Sequence, residues 1–145
     1  MTMTLQHLSD RLEIQDLLVE YCHCVDSMDW DGLDDVFTVD AHIDYTAMGG
    51  SSGDLAHTKE FLAAALPNFA GFQHMISTSK ITIAGDTATG KTICHNPMIA
   101  TGDAGQPLVM HCGFWYVDAF VRTAAGWRIH TRREERSYSP TLLGS

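Results

Sequence analysis

The apolar residues of this chain change their spacing near residue 70, and few architectures accommodate both halves. In residues 9–26, Ile14, Leu17, Leu18, Tyr21 and Val25 recur every three or four positions, with Asp10, Glu13, Asp16 and Glu20 between them. That is the pattern of a helix with one buried stripe. Ser9 and Asp10 are favourable residues for its start. Residues 26–37, "DSMDWDGLDDVF", predict a turn and a short second helix carrying Trp30, Leu33, Val36 and Phe37. Residues 41–48 alternate enough for a short strand, 48–54 read as a loop, and 55–69 predict a third helix closed at Pro67.

Beyond that point the period is two. Residues 72–83, 87–100, 107–122 and 126–138 all read as strands, separated by the short connections "AGD", "TGDAGQ" and "TAAG". Helices come first and long antiparallel strands follow. The expectation is an α+β domain, with helices on one face of a curved sheet and a pocket between the layers.

Length and charge narrow the function classes. The 145 residues suit one domain spanning 1–145, with a flexible tail at about 139–145. The formal net charge of −9 argues against nucleic acid and anionic membrane as partners. No apolar run is long enough to span a bilayer, and the N-terminus lacks the basic and apolar blocks of a secretory signal, so the cytoplasm is the expected location. Cys22, Cys24, Cys94 and Cys112 form no CxxC pair and are expected as reduced, packed thiols.

"YCHCVD" (21–26) invites a metal reading. Helical geometry argues against it. Residues two apart on a helix diverge by roughly 200°, so Cys22 and Cys24 do not converge on one ion. No Gly-rich phosphate loop follows a strand either. The expectation is no metal and no cofactor.

Five stretches carry a family resemblance: "RLEIQDLLVEYCHCVDSMDWDGLDDVF", "HIDY", "FQHMIS", "DTATGK" and "GWRIHTRREERSY". With them the chain resembles the SnoaL-like branch of the nuclear transport factor two-like (cystatin-like) superfamily over nearly its whole length. The resemblance implies a cone-shaped half-barrel, a curved mixed or antiparallel sheet with three N-terminal helices enclosing a pocket. Scytalone dehydratase, the bile-acid dehydratases and hexachlorocyclohexane dehydrochlorinase belong to this branch and carry out eliminations without a cofactor. Their pattern implies an aspartate at Asp26, a histidine at His74, a tyrosine at Tyr21 or Tyr45, and an arginine at Arg136. It also implies ligand contacts at Asn96 and Met98. Both depart from the family pattern, with an amide where the bile-acid enzymes have a carboxylate and a thioether near the place of scytalone dehydratase's second histidine.

The residue chemistry fits an acid–base site. Histidine titrates near neutrality and suits proton abstraction beside a carbonyl. A carboxylate on its other ring nitrogen sets the tautomer and steadies the imidazolium. Phe72, His74 and Ile76 share one strand face, which points His74 inward; the alternative is a core histidine bonded to backbone. Asp26 reads otherwise as a turn or cap residue. Tyr21, on the apolar stripe, and Tyr45 are each either core or oxyanion donor.

Strict alternation puts Trp127, Ile129, Thr131 and Arg133 on one face and Arg136 on the other, so Arg136 reaches the pocket only past a bulge. Arg132 and Arg133 compete with it, and Glu134 and Glu135 read otherwise as salt-bridge partners on an outer strand. At most one of His95 and Asn96 faces the pocket, and either Tyr116 and Phe114 or His111 and Trp115 do. Apolar residues on the outer face suggest a homodimer or homotrimer.

The expected function is a cofactor-independent, dehydratase-like lyase acting on a hydrophobic cyclic small molecule. The alternatives are an isomerase or cyclase on the same scaffold, and a non-catalytic binding module.

Overall fold

In the computed structural model, residues 2–138 are described, and the expected C-terminal tail lies outside them. The first helix, α1 (Leu5–Asp26), begins a turn earlier than the Ser9 signal suggested. Thr4 caps it, its hydroxyl accepting the His7 N–H at 3.1 Å. The predicted stripe is the buried face: Ile14, Leu17, Leu18, Tyr21 and Val25 are all buried. The helix closes through Met28 at φ 58°, in the left-handed region usually given to glycine. That turn leaves Asp26 at the helix end.

The expected second helix is only a 3₁₀ turn, Asp31–Asp35. Gly32 and three aspartates within five residues make a poor α-helix. The short strand is displaced: β1 runs Phe37–Asp44, and the expected loop contains β2 (Ser52–Asp54). The last predicted helix is α2 (Leu55–Ala65), followed by a 3₁₀ turn, Leu66–Asn68, around Pro67. The structure therefore has two α-helices among the described residues, not three.

The remaining strands are β3 (Gly71–Phe72), β4 (Met75–Ala84), β5 (Thr87–Thr101), β6 (Pro107–Thr123) and β7 (Gly126–Tyr138). The sheet order is β2-β1-β7-β6-β5-β3, with β4 also on β5. Among the described residues only the β1–β7 pair is parallel. This is a mixed, curved α+β sheet with the helices on one face.

Two departures from regular strands position the cavity. The first splits the expected strand 72–83 at Gln73–His74. Gln73 donates to the Pro97 carbonyl at 3.3 Å, but Pro97 has no N–H to return. The second is a bulge on β7. Phe120 pairs with Ile129 and Ala119 with Thr131, leaving His130 as the extra residue. Trp127 and Ile129 are buried before the bulge, and Arg132 is buried after it. The inward face thus passes from odd to even positions.

Trp127 is also the anchor between sheet and helix. Its indole N–H donates to Asp10 at 3.1 Å, and Arg122 grips the same carboxylate at 2.6 and 2.9 Å. Those donors hold the Asp10 carboxyl far below its ordinary value, Arg122 foremost, against the opposing effect of burial. On β6, Phe114, Tyr116 and Phe120 face inward and are buried. Trp115, on the opposite face, lies under the Lys91 ammonium.

Candidate active site

His74 lies in the break between β3 and β4, at the edge of the sheet, and not within a strand as the alternation implied. Its backbone N–H has no strand neighbour, and the Asp26 carboxylate takes it at 3.0 and 3.2 Å. The ring completes the grip, with Nδ1 2.7 Å from Asp26 Oδ1. A carboxylate only accepts, so Nδ1 is the donor in this contact, which in a neutral ring leaves the lone pair on Nε2. Asn96, directly across on β5, approaches that nitrogen with Nδ2 at 3.2 Å. Its amide donates, which agrees with the same tautomer. Asn96 Oδ1 is buried with no partner among the described residues.

A cavity of about 440 Å³ opens beside this pair. Phe61, Leu62, Leu66, Phe69, Met98 and Phe114 supply its apolar wall. Tyr21, Tyr45, His74, Asn96, Tyr116 and Glu134 supply its polar groups. A larger groove of about 510 Å³ runs over the other face, past Lys80, Lys91, Thr131 and Arg133, and contains neither Asp26 nor His74. The smaller cavity is lined by His74, with Asp26 bonded behind it, and is the candidate site.

Tyr21 and Tyr45 meet hydroxyl to hydroxyl at 2.6 Å. One donates to the other, so the accepting hydroxyl keeps a proton for a third group. Burial pushes the Tyr21 phenol up to about 12 and that of Tyr45 well above its ordinary value. Both remain neutral donors at physiological pH.

Below them lies Arg132, fully buried. Asp118 holds its Nε and Nη2 at 2.8 Å each. The guanidinium carbon stacks 4.2 Å from the Tyr21 ring centre and 3.8 Å from that of Tyr116. Burial opposes the charge, but the Asp118 carboxylate outweighs it and holds Arg132 well above the ordinary guanidinium value.

The structure thus brings His74, Tyr21, Tyr45, Asn96, Met98 and Tyr116 to one cavity, with Asp26 behind His74. It does not bring Arg136 there. Its Nε and Nη2 donate to the Ala47 carbonyl at 3.0 and 2.6 Å, tying β7 to the turn that carries Met48. Of the competing arginines, Arg133 is exposed and Arg132 sits beneath the tyrosines.

Glu134 is a cavity residue that the sequence reading did not propose, offering it only as an alternative salt-bridge partner. It lines the cavity and is not paired with an arginine on an outer strand. The apolar alternation of β7 ends at Ile129, so no apolar residue marks the inward face beyond the bulge. His95 points to the other face, stacked on His111 with ring centres 5.5 Å apart. The four cysteines are buried and unpaired; desolvation pushes Cys22 and Cys24 up to about 11 and Cys94 to about 12, keeping them as thiols.

The family model described as "SnoaL-like domain" matches residues 6–133. The chain belongs to the SnoaL-like family. This SnoaL-like chain is 46% identical to Rv2910c of Mycobacterium tuberculosis, an uncharacterized protein, over 97% of its own length and 94% of that protein. Among solved structures it is similar to Kfla4162 of Kribbella flavida, with a TM-score of 0.83 at 26% identity, covering 93% of this chain and 95% of that one. Hexachlorocyclohexane dehydrochlorinase LinA-type3 of Novosphingobium barchaimii shares the fold at a TM-score of 0.78. It is 18% identical, with 97% of this chain and 95% of that one covered. Among the described residues, no helix of this SnoaL-like chain is long and apolar enough to cross a membrane.

Proposed function

We propose that the protein is a cofactor-independent lyase that eliminates water or a similar leaving group from a hydrophobic cyclic molecule. The observation that carries the reading is the 2.7 Å contact between Asp26 Oδ1 and His74 Nδ1 at the wall of an apolar cavity. A base so held has its second ring nitrogen, bonded only to the Asn96 amide, on a residue that lines the cavity. Elimination on this scaffold has a precedent in the fold neighbour named a dehydrochlorinase.

His74 Nε2 takes a carbon-bound proton, the C–H electron pair forms the new double bond, and the bond to the leaving group breaks with its pair on that group; a leaving hydroxyl departs as water by taking the proton that His74 has accepted. Asp26 holds the tautomer and steadies the imidazolium. The 3.2 Å contact from Asn96 is long enough for a ligand to compete with it. The Tyr21–Tyr45 pair offers its spare proton to developing negative charge on oxygen. Met98 and Tyr116 contact the ring. Arg136 is a positioning residue acting through Ala47.

The test is product analysis with a panel of cyclic hydroxyketones. Loss of water identifies a lyase, and an unchanged mass identifies an isomerase or cyclase. His74→Ala lowers turnover by about 10²–10⁴-fold if His74 is the base. Full activity in that variant, with the fold intact by circular dichroism, would sink the mechanism.

A further inference from the structure

The mechanism above leaves the carboxyl of half-buried Glu134 without a role. Glu134 lines the cavity, and its Oε2 is buried with no hydrogen-bond partner among the described residues. A carboxylate in such a place ordinarily collects two or three donors. Arg132, the cation whose charge Glu134 feels, spends Nε and Nη2 on Asp118, and its Nη1 is likewise buried without a partner among the described residues.

Its location is distinct from that of His74. In the sheet register Glu134 faces Tyr116, which faces Thr92 on β5. Thr92 is four residues from Asn96, the partner of His74, or about 13 Å along the strand. The backbone positions that carry the two polar groups are therefore well apart, with Phe114 and Met98 among the apolar groups that line the cavity.

We propose that Glu134 is a second anchor of this cavity, its carboxylic acid donating a hydrogen bond to a carbonyl or hydroxyl oxygen at the end of the ligand remote from His74. The proposal rests on the cavity being the ligand site of the lyase reading. It makes the ligand an uncharged ring compound with an oxygen acceptor far from the carbon that loses its proton.

The electrostatics agree. Burial pushes the Glu134 carboxyl up to about 8; Arg132 pulls it down and Asp44 adds repulsion. An apolar site can keep a carboxylic acid neutral at pH 7, so that it donates instead of accepting. Around it stand Tyr21 from α1, Asp44 and Tyr45 at the end of β1, Cys94 from β5, Cys112 and Tyr116 from β6, and Arg132. Burial raises these phenols and thiols, with Tyr21 and Cys94 near 12, so Glu134 titrates before them.

Calorimetric binding of 1-tetralone, set against tetralin, isolates one carbonyl on an otherwise similar ring. At pH 6.5 the wild type binds the ketone about tenfold more tightly, the worth of one hydrogen bond. The preference shrinks at pH 9.5 as Glu134 ionises. Glu134→Gln keeps an N–H donor and holds the preference at both pH values, whereas Glu134→Leu loses it at both. His74→Ala retains the preference, so this readout stands whether or not His74 is a base. Difference infrared spectra of wild type against Glu134→Gln follow the carboxyl directly. The proposal is overturned if Glu134→Leu keeps the wild-type preference. It is also overturned if the wild type shows none at pH 6.5, failure to bind either probe included. Should Glu134→Leu not fold, loss of the preference in Glu134→Gln at pH 6.5 overturns it equally.

Discussion

Arg132→Met removes one half of an ion pair whose two side chains have no solvent exposure. It leaves the Asp118 carboxylate buried without the two 2.8 Å bonds that hold it. Breaking a fully buried pair from one side costs about 3–5 kcal/mol, a large share of the about 5–15 kcal/mol typical of a domain. Unfolding entropies of about 2.1 cal/mol/K per residue put this chain near about 300 cal/mol/K, so the loss lowers Tm by about 10–16 °C. Stacking on Tyr21 and Tyr116 adds to the loss. Urea and thermal unfolding at pH 7 measure it. The double variant Arg132→Met, Asp118→Leu removes both charges and recovers most of the stability, because neither charge is then left unpaired. A single variant within about 1 kcal/mol of wild type, or a double variant no better than the single, would refute the reasoning.

Two further outcomes follow from other parts of the fold. Glu134 holds its proton to about pH 8 in the folded chain, against an ordinary value of 4.5. The folded state therefore binds more protons between those limits, and its contribution to stability is complete below the lower value and lost as pH rises through the higher. The loss is at most about 1.4 kcal/mol per pH unit, and Glu134→Gln abolishes it; parallel stability–pH curves for the two proteins would refute the assignment. Gly90→Ala sets a methyl 3.0 Å from Cε2 of the buried Phe120 ring. The expected loss is about 1–3 kcal/mol in denaturant unfolding, and an unchanged midpoint would show that the ring yields freely.

The sequence alone carried the fold class, because the change from helical to alternating period near residue 70 admits few packings. It carried the buried stripe of α1 for the same reason. The family pattern, not the periodicity, singled out Asp26, His74, Tyr21 and Tyr45. Local signals overstated the second helix, where Trp30 and Leu33 mimic a helical face but aspartates and Gly32 favour a tight turn.

What only the tertiary structure decided lies on β7 and at the sheet edge. His130 is an extra residue that no local feature of the sequence marks, and it exchanges the two faces of everything after it. By that shift Arg132 enters the core and Glu134 the cavity. Arg136 stays outside the cavity, its guanidinium taken by the Ala47 carbonyl. At the edge, Pro97 withholds one ladder bond, and the His74 N–H has no strand beside it. The carboxylate of Asp26, 48 residues earlier in the chain, takes that N–H and orients the ring with the same group. A sequence specifies which groups can donate and accept; which of them meet depends on strand register, and register is settled across the sheet.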